Sequence, residues 1–391
     1  MTNPFQSFDT SRVPAPCFVV DEIAVEQNLQ ILAQVQAASG AKILAALKAF
    51  SLWSLAPLTI KYLSGTCASG YQEARLGSEE YGGETHVYAA AYSERDMQRI
   101  LPLADHLAFN SCAQWLRFKP LVQAQQESTG KPQVGLRINP EHSEGAVAIY
   151  DPCSPFSRLG TTRDQIDLDA LEGITGLHFH TLCEQGFEPL RRTVEAIEKR
   201  FGDLLPQMQW INFGGGHHIT KADYDRESLI QLIRNFSEKY KVQVYLEPGE
   251  AIAIHTGVLV SEVLDTIYNG MPIAILDSSA TCHMSDVLEM PYRPDLLTKE
   301  GMAGDAGQLA HTYRLGGTSC LAGDVFGDYS FEQPLKIGER LMFDDMSHYT
   351  MVKTTTFNGV QLPAIAIWNS ETDDLKIVRQ FDYDDFKQRL S

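Results

Sequence analysis

Short apolar runs alternate with amphipathic helical patterns from about residue 22 to residue 254. Eight of the runs have the length of buried strands, at residues 41–50, 66–70, 85–90, 106–110, 133–139, 176–181, 210–216 and 242–249. Between them lie helical stripes, such as apolar side chains at 190, 194, 197 and 201. Eight strands that alternate with helices over roughly 230 residues are typical of a (β/α)8 barrel. The sequence therefore predicts a TIM-type barrel over residues 22–254.

The alternation changes after residue 254. Residues 257–267, 272–276, 340–343 and 362–368 have the composition of strands, and the loops between them contain glycine and proline. We therefore expect a second, mostly β domain over residues 255–391, joined by the N-terminal segment 1–21. The predicted fold class is α/β.

Functional side chains of such barrels lie at the C-terminal ends of the strands. Those positions carry Lys48, Asn110, Arg137, His180, the triplet Gly214, Gly215 and Gly216, and Glu247. Lys48 ends the first apolar run, where desolvation can convert an ammonium into a nucleophilic amine that forms a Schiff base. The alternative is a lysine whose stem packs at the strand mouth while its ammonium reaches water.

This set of side chains suits pyridoxal 5′-phosphate. Glycines let backbone N–H groups approach a phosphate, and an ionised carboxylate keeps the pyridine nitrogen protonated so that the ring accepts electrons. The sequence therefore predicts that Lys48 binds the cofactor, that Gly214, Gly215 and Gly216 bind its phosphate, and that Glu247 faces its pyridine nitrogen. The alternatives are a flexible loop at the triplet and a solvated turn residue at Glu247.

Charge and cysteine content restrict the partners. The chain has 32 basic and 50 acidic residues and a net charge of -18, which argues against nucleic acid and favours cationic ligands. Residues 1–16 are polar and contain proline, so we expect no membrane association. The seven cysteines form no CxxC pair, which fits a reducing cytoplasm. His217 and His218 lack the spacing of metal ligands, so no metal is predicted.

Several motifs resemble those of the fold-type III pyridoxal-phosphate enzymes, the alanine racemase-like group of ornithine and diaminopimelate decarboxylases. They are Leu47-Lys48-Ala49, Gly176-Leu177-His178-Phe179-His180, Phe213-Gly214-Gly215-Gly216, Glu247-Pro248-Gly249 and Phe357-Asn358-Gly359. They follow the order of that family across nearly the whole chain. Longer strings at residues 46–51, 180–184, 246–251 and 318–324 resemble the carboxynorspermidine/carboxyspermidine decarboxylases of that group.

The resemblance implies a role for each matching residue. Lys48 would hold the cofactor covalently, His180 would stack on its ring, and Tyr349 would contact its phosphate together with the glycine triplet. Cys320 matches a catalytic cysteine that reaches the active site from the neighbouring subunit, so a homodimer with shared sites is implied. On residue type alone, Cys320 would more often be a small buried side chain.

One departure from the family concerns the substrate. Glu250 stands where the Glu-Pro-Gly-Arg motif of diaminopimelate and ornithine decarboxylases has arginine. A carboxylate there suits a substrate with a cationic tail and repels the distal carboxylate of diaminopimelate. Asp286, Glu184 and Asp324 are further candidates for this acidic lining, and a solvated surface carboxylate is the alternative for each.

The implied function is decarboxylation of carboxynorspermidine and carboxyspermidine to norspermidine and spermidine, small cationic polyamines. Two alternatives stay open. One is a diaminopimelate decarboxylase, against which the missing arginine speaks. The other is a non-catalytic regulatory protein that binds the same cofactor, although such a protein would be expected to lack Lys48 or Cys320.

Overall fold

The structure, a computed structural model, describes residues 3–145 and 147–391. Its strands are β1 Cys17–Asp21, β2 Lys42–Ala46, β3 Gly65–Ala68, β4 Glu84–Tyr88, β5 His106–Phe109, β6 Gln133–Arg137, β7 Gly176–His178, β8 Trp210–Asn212, β9 Gln243–Leu246, β10 Gly257–Tyr268, β11 Pro272–Leu276, β12 Leu296–Thr298, β13 Gly301–Met302, β14 Gly304–Asp305, β15 His311–Gly316, β16 Val325–Phe331, β17 Arg340–Phe343, β18 Ala364–Trp368 and β19 Leu375–Arg379. Its α-helices are α1 Glu22–Ser39, α2 Ala56–Tyr62, α3 Tyr71–Leu76, α4 Glu94–Ile100, α5 Cys112–Thr129, α6 Phe187–Phe201, α7 Arg226–Tyr240, α8 Glu250–Ala253, α9 Ala280–His283, α10 Asp286–Glu289 and α11 Tyr383–Gln388.

Strands β2 to β9 form a closed parallel barrel. Each pairs in parallel with the next, and β9 returns to β2 with Lys42 opposite Tyr245 and Ile43 opposite Leu246. All eight strands overlap the runs predicted from the sequence, and β3 and β4 each begin one residue earlier, so the predicted barrel is confirmed. Parallel pairing around a closed ring brings the C-terminal ends of all eight strands to one rim.

The helices around the barrel form where the apolar stripes predict them. In α6 the four positions of the stripe, Leu190, Val194, Ile197 and Phe201, are all buried. Helix α4 begins after Ser93, whose side chain accepts the Asp96 N–H at 3.0 Å. This hydrogen bond caps the helix, because the N–H groups of its first turn have no partner within the helix.

The connection from β6 to β7 differs from the other units of the barrel. Its described residues form only short 3-10 turns, at Ala148–Tyr150, Arg163–Gln165 and Leu168–Leu171. The expectation of a helix after every strand is therefore wrong at this connection. Pro152, Pro155 and Gly160 occur within it, and each disfavours a continuous helix.

A tryptophan fills part of the barrel interior. The indole of Trp210 packs so closely that a Cβ added at Gly176 would lie 2.0 Å from its Cε2 atom, and one at Gly135 would lie 2.4 Å from its Cη2 atom. Glycine on β6 and β7 therefore makes room for the large side chain on β8. Leu44 and Tyr245 complete this buried cluster.

The chain divides into two compact units. The first is Glu26–Ile252, which contains the barrel, and the second combines Ala253–Ser391 with the N-terminal residues up to Val25. The second unit is built on a sheet in which the twelve-residue strand β10 pairs with β1, β11 and β17. None of the described helices combines the length and the apolar composition that a bilayer span requires.

Strand β1 lies within the sheet of the second unit, antiparallel to β10 and parallel to β18. The residues before it add an aromatic cluster. Phe5 and Phe8 lie with their ring centroids 5.3 and 5.1 Å from that of Trp368. The N-terminal segment therefore belongs to the core of this unit rather than to the barrel.

We expect Asp277→Asn, just after β11, to stabilise the protein near neutral pH. Burial raises the pKa of Asp277 from 3.8 to about 6, so folding favours the protonated form. The resulting penalty is absent below about pH 4, grows between pH 4 and 6, and is complete above. Asparagine removes about 1–3 kcal/mol of it while still accepting the Glu262 N–H.

The thermal unfolding temperature should rise by roughly 2–6 °C at pH 7.5 and hardly at all at pH 4. Asp265→Asn, at an exposed position of β10, is the matched control and should change the unfolding temperature little at either pH. An equal shift at both pH values would contradict the assignment of the penalty to ionised Asp277.

Candidate active site

Lys48 lies in a tight turn directly after β2. The strand ends at Ala46, whose carbonyl accepts the N–H groups of Ala49 at 3.1 Å and Phe50 at 3.3 Å. The lysine side chain is exposed to solvent. The sequence had predicted a lysine at the end of a buried strand. Its amine therefore reaches the rim without the cost of burying an ammonium.

The amine of Lys48 lies beside an imidazole whose tautomer is determined by the backbone. Lys48 Nζ is 3.3 Å from His180 Nε2, and His180 Nδ1 accepts the Gly215 N–H at 2.9 Å. Burial, with a smaller effect of Lys48, lowers the pKa of His180 well below its ordinary value, so the ring is neutral with its proton on Nε2. Lys48 Nζ therefore lies beside the protonated nitrogen of a neutral ring.

The glycine triplet follows β8 and passes close to its neighbours. Gly214 and Gly216 have φ values of +70° and +83°, which favour glycine. A Cβ at Gly216 would lie 1.9 Å from the Leu182 carbonyl oxygen, and one at Gly215 would lie 2.0 Å from that of Glu247. Any larger residue would force these strand ends apart.

Two amides of the triplet already have partners within the protein. The Gly214 N–H donates to Asn212 Oδ1 at 2.8 Å, and the Gly215 N–H donates to His180 Nδ1 at 2.9 Å. Direct phosphate binding therefore stays a prediction for Gly216. Gly214 and Gly215 shape the backbone around that position.

Glu247 follows β9 with only 14% of its side chain exposed. Its Oε1 accepts the Asn212 Nδ2–H at 2.7 Å, and its Oε2 lies 3.1 Å from His178 Nε2. Burial raises the pKa of Glu247, but the charge and hydrogen bond of His178, together with His86 and Lys48, outweigh it and lower the pKa to about 2. The structure thus provides an ionised carboxylate with a fixed orientation, as the sequence predicts for a partner of a pyridine nitrogen.

Two candidate substrate residues lie in the barrel unit. Glu250 begins α8, and its Oε1 is 3.0 Å from His218 Nε2, with 17% and 7% of the two side chains exposed. Glu184 lies in the loop after β7 with an exposed side chain and a φ of +53°. The pairing of Glu250 with His218 was not predicted, because 32 residues separate them in the chain.

Cys320 lies in the second unit, in the loop between β15 and β16. Its side chain is exposed, and its N–H donates to Asn358 Oδ1 at 2.6 Å. Asp324, at the end of the same loop, is buried and accepts hydrogen bonds from Ser279 Oγ at 2.8 Å and Ser319 N at 3.1 Å. Asp324 therefore holds the loop that carries Cys320 through hydrogen bonds. The sequence did not indicate this structural role.

Asp286 and Tyr349 also lie in the second unit. Lys353 Nζ forms ion pairs with Asp286 and with Glu289, the latter at 2.9 Å. Tyr349 follows β17 with a φ of +32°, and its carbonyl accepts the Lys353 N–H at 3.0 Å. The cation beside Asp286 was not predicted from the sequence.

The two residues that hold Glu247 were missed as well. His178 was quoted only as part of a motif, and Asn212 was not singled out. A usable signal exists: each is a polar residue at the end of a short apolar strand, two positions before His180 and Gly214 respectively. Strand ends of a barrel face the same rim, so such residues are candidates for contact.

A group of Glu84, His86 and His106 lies inside the barrel with residue types that can ligate a metal. Lys42 already forms an ion pair with Glu84. The two imidazoles stack with centroids 3.9 Å apart and planes only 19° apart. A metal ion lies in the plane of each imidazole that ligates it. Two rings stacked face to face cannot both meet this condition, so the group suits an ion pair with stacked rings better than a metal.

Comparison with known proteins identifies relatives over nearly the whole chain. The family model of the pyridoxal-dependent decarboxylases, described as their C-terminal sheet domain, matches residues 17–347. The carboxyaminopropylagmatine decarboxylase of Synechocystis is 44% identical, over 97% of this chain and 96% of that protein. The carboxynorspermidine/carboxyspermidine decarboxylase of Campylobacter jejuni is 41% identical, over 97% of this chain and 99% of that protein.

Solved structures of decarboxylases are also similar to this chain. The carboxynorspermidine decarboxylase of Campylobacter jejuni, complexed with norspermidine, has a TM-score of 0.86 and 40% identity, and the match covers 96% of this chain and 100% of that one. The diaminopimelate decarboxylase of Helicobacter pylori, complexed with L-lysine, has a TM-score of 0.79 at 18% identity, with 99% and 98% covered. The second likeness shows the fold alone.

Proposed function

This chain belongs to the pyridoxal-dependent decarboxylases, and we propose that it converts carboxynorspermidine and carboxyspermidine to norspermidine and spermidine. Two relatives named for both substrates, from Campylobacter jejuni and Herminiimonas arsenicoxydans, are 41% and 38% identical over 97% of the chain. Diaminopimelate decarboxylases match with only 24% identity over 34% of the chain or 21% over 71%. This difference supports the polyamine substrates over diaminopimelate.

The residues of the barrel rim fit pyridoxal 5′-phosphate. The observation that carries the proposal is that one rim holds a lysine amine 3.3 Å from a neutral imidazole, a glycine backbone that a Cβ would obstruct, and an ionised carboxylate fixed at both oxygens. Lys48 would bind the aldehyde carbon, Gly216 and Tyr349 the phosphate, and Glu247 the pyridine nitrogen. His180 would lie against the ring.

When bound, the cofactor withdraws electrons from the substrate carbon that loses CO2. The protein residues have separate tasks. Glu247, ionised over the whole working pH range because its pKa is lowered to about 2, would keep a negative charge at the pyridine nitrogen. His180 would orient the amine of Lys48, since its Nε2 lies 3.3 Å from Nζ.

We propose that Glu250 and Asp286 bind the cationic part of the substrate. His218 would orient the Glu250 carboxylate, since its Nε2 lies 3.0 Å from Oε1. Lys353 forms ion pairs with two carboxylates, Asp286 and Glu289, so the three side chains together keep a net negative charge. Acidic groups of this kind attract ammonium groups and repel a second substrate carboxylate.

We also propose a homodimer in which Cys320 serves the active site of the neighbouring subunit, where Cys320 or Lys48 returns a proton to the substrate carbon. The support is the family resemblance of the loop, together with the exposed position of Cys320 and the hydrogen bond that holds its N–H to Asn358. The proposed location is the cytoplasm, in keeping with seven cysteines that are all free thiols.

Carboxyaminopropylagmatine is a second candidate substrate. The relative named for carboxyaminopropylagmatine is 44% identical, slightly more than those named for the triamines. Both substrate classes combine a carboxylated carbon with a cationic tail, which the acidic residues would accept in either case. The tail ends in a guanidinium group in one class and in an ammonium group in the other.

We expect the purified holoenzyme to release CO2 from carboxynorspermidine and carboxyspermidine, with kcat/KM at least about 100-fold higher than for meso-diaminopimelate, because the acidic residues repel its second carboxylate. The measurement is CO2 release under identical conditions from these three compounds and carboxyaminopropylagmatine. A tenfold preference for carboxyaminopropylagmatine would establish the second candidate, and a preference for diaminopimelate would contradict both.

A further inference from the structure

Glu247 is held at both oxygens by two side chains from neighbouring strands. Asn212 at the end of β8 donates from Nδ2 to Oε1 at 2.7 Å, and His178 at the end of β7 lies with Nε2 3.1 Å from Oε2. Asn212 and His178 have only 2% and 3% of their surface exposed. Groups so deeply buried have little freedom to reorient, so the carboxylate has one preferred position.

The orientation of Asn212 is fixed by the glycine triplet. Its Oδ1 accepts the Gly214 N–H at 2.8 Å, which directs the NH2 end of the amide to Glu247. An amide with one end held by the backbone presents a donor to the carboxylate and never an acceptor. Asn212 thus links the backbone of the predicted phosphate site to the predicted partner of the pyridine nitrogen.

The ring of His178 is held between Glu247 and an aromatic stack. Its centroid lies 5.2 Å from that of Tyr88, with planes 30° apart, and the Arg137 guanidinium lies 4.4 Å from the Tyr88 centroid on the same rim. An ionised carboxylate accepts only, so Nε2 must carry a proton for the contact with Glu247 to be a hydrogen bond. His178 therefore stabilises the ionised form of Glu247 rather than the protonated form.

We propose that Asn212 and His178 are positioning residues that keep Glu247 ionised and oriented at the pyridine nitrogen of the cofactor. The inference rests on the proposed function, because it needs the cofactor at the barrel rim. Neither residue touches the reacting carbon, so both act through Glu247. The other titratable groups near this carboxylate are Lys48, His86 and Cys67.

The cleanest test is the isosteric variant Asn212→Asp. One carboxylate oxygen can still accept the Gly214 N–H, but the other then faces Glu247 Oε1 in place of the donor at 2.7 Å. Two carboxylates so close cannot both ionise readily, and the pKa of one rises. We expect the pyridine nitrogen of the bound cofactor to lose its proton in a larger fraction of molecules, with kcat reduced about 10- to 100-fold and KM changed by less than about threefold.

His178→Gln supplies the second variant, because glutamine keeps a donor of similar reach but cannot carry the proton of a histidine. It should move the same signal in the same direction, but less than Asn212→Asp. His106→Gln is the matched control: His106 is a buried barrel histidine that lines the same small cavity as His178, Asn212 and Glu247. It has no hydrogen bond to Glu247 among those of the described residues and reaches it only through the stacked ring of His86, so the signal should move far less than in His178→Gln.

The readout is the 15N chemical shift of cofactor labelled at the pyridine nitrogen, measured in the holoenzyme and its variants, alongside kcat and KM. A wild type with a pyridinium shift and two variants that keep it would overturn the inference while the proposed function stands. A wild type without the pyridinium shift would overturn the role of Glu247 and the inference with it. A His106→Gln shift equal to that of His178→Gln would contradict a specific role for His178.

Discussion

Lys48→Ala should abolish decarboxylation, with kcat lower by at least about 1,000-fold, because Lys48 supplies the nucleophilic amine of the proposed site. The variant should also lose the visible absorbance of a cofactor bound to a lysine. The Lys48 side chain is exposed and its described hydrogen bond is to His180 alone. Removing it should therefore leave the thermal unfolding temperature of the protein without cofactor almost unchanged.

Lys199→Ala is the matched control for this experiment. Lys199 is an exposed lysine of α6, on the outer helices of the same barrel. Its replacement should leave the activity and the absorbance at wild-type values. A yellow and active Lys48→Ala protein would show that another residue holds the cofactor.

Gly215→Ala should cause the second largest loss of activity, because of steric clashes alone. The added Cβ would lie 2.0 Å from the Glu247 carbonyl oxygen and 2.9 Å from its carbonyl carbon. Such contacts force the ends of β8 and β9 apart and move Glu247 away from Asn212 and His178. Overpacking of this kind costs about 1–3 kcal/mol of stability. A displacement of about 1 Å at the site should lower kcat/KM by about 100-fold.

Gly186→Ala provides the comparison. Gly186 precedes α6, has a φ of -88°, and has open space where its Cβ would be. The variant should keep full activity and cofactor occupancy, measured by titration with pyridoxal 5′-phosphate. Gly215→Ala with wild-type occupancy and activity would contradict the close approach of the triplet to Glu247.

The barrel could be predicted from the sequence because each strand is recognisable locally. Eight apolar runs and the stripe of α6 are visible in short windows, and all eight runs became strands. The connection after β6 could not be anticipated in the same way, since its turns have no periodic pattern. In the second unit, strands β12 to β16 and β19 were not predicted. Of these, β12, β13 and β14 have only two or three residues, which give no pattern to detect.

The candidate site was likewise predicted only in part. Lys48, Gly215 and Glu247 were predicted from their positions at strand ends, and the structure brings these ends together at one rim. The partners of the charged groups were not predicted. His218 beside Glu250 and Lys353 beside Asp286 are separated from them by 32 and 67 residues in the chain, so only the folded structure reveals that these side chains lie together.

The most direct measurement is borohydride reduction of the holoenzyme followed by mass spectrometry of its peptides. Reduction fixes a cofactor that is held through a carbon–nitrogen double bond to the nitrogen that binds it. Catalysis by a lysine-bound cofactor at this barrel rim predicts one pyridoxyl group per chain on the peptide that contains Lys48. A label on any other lysine, or a fully active enzyme that takes up none, would contradict it.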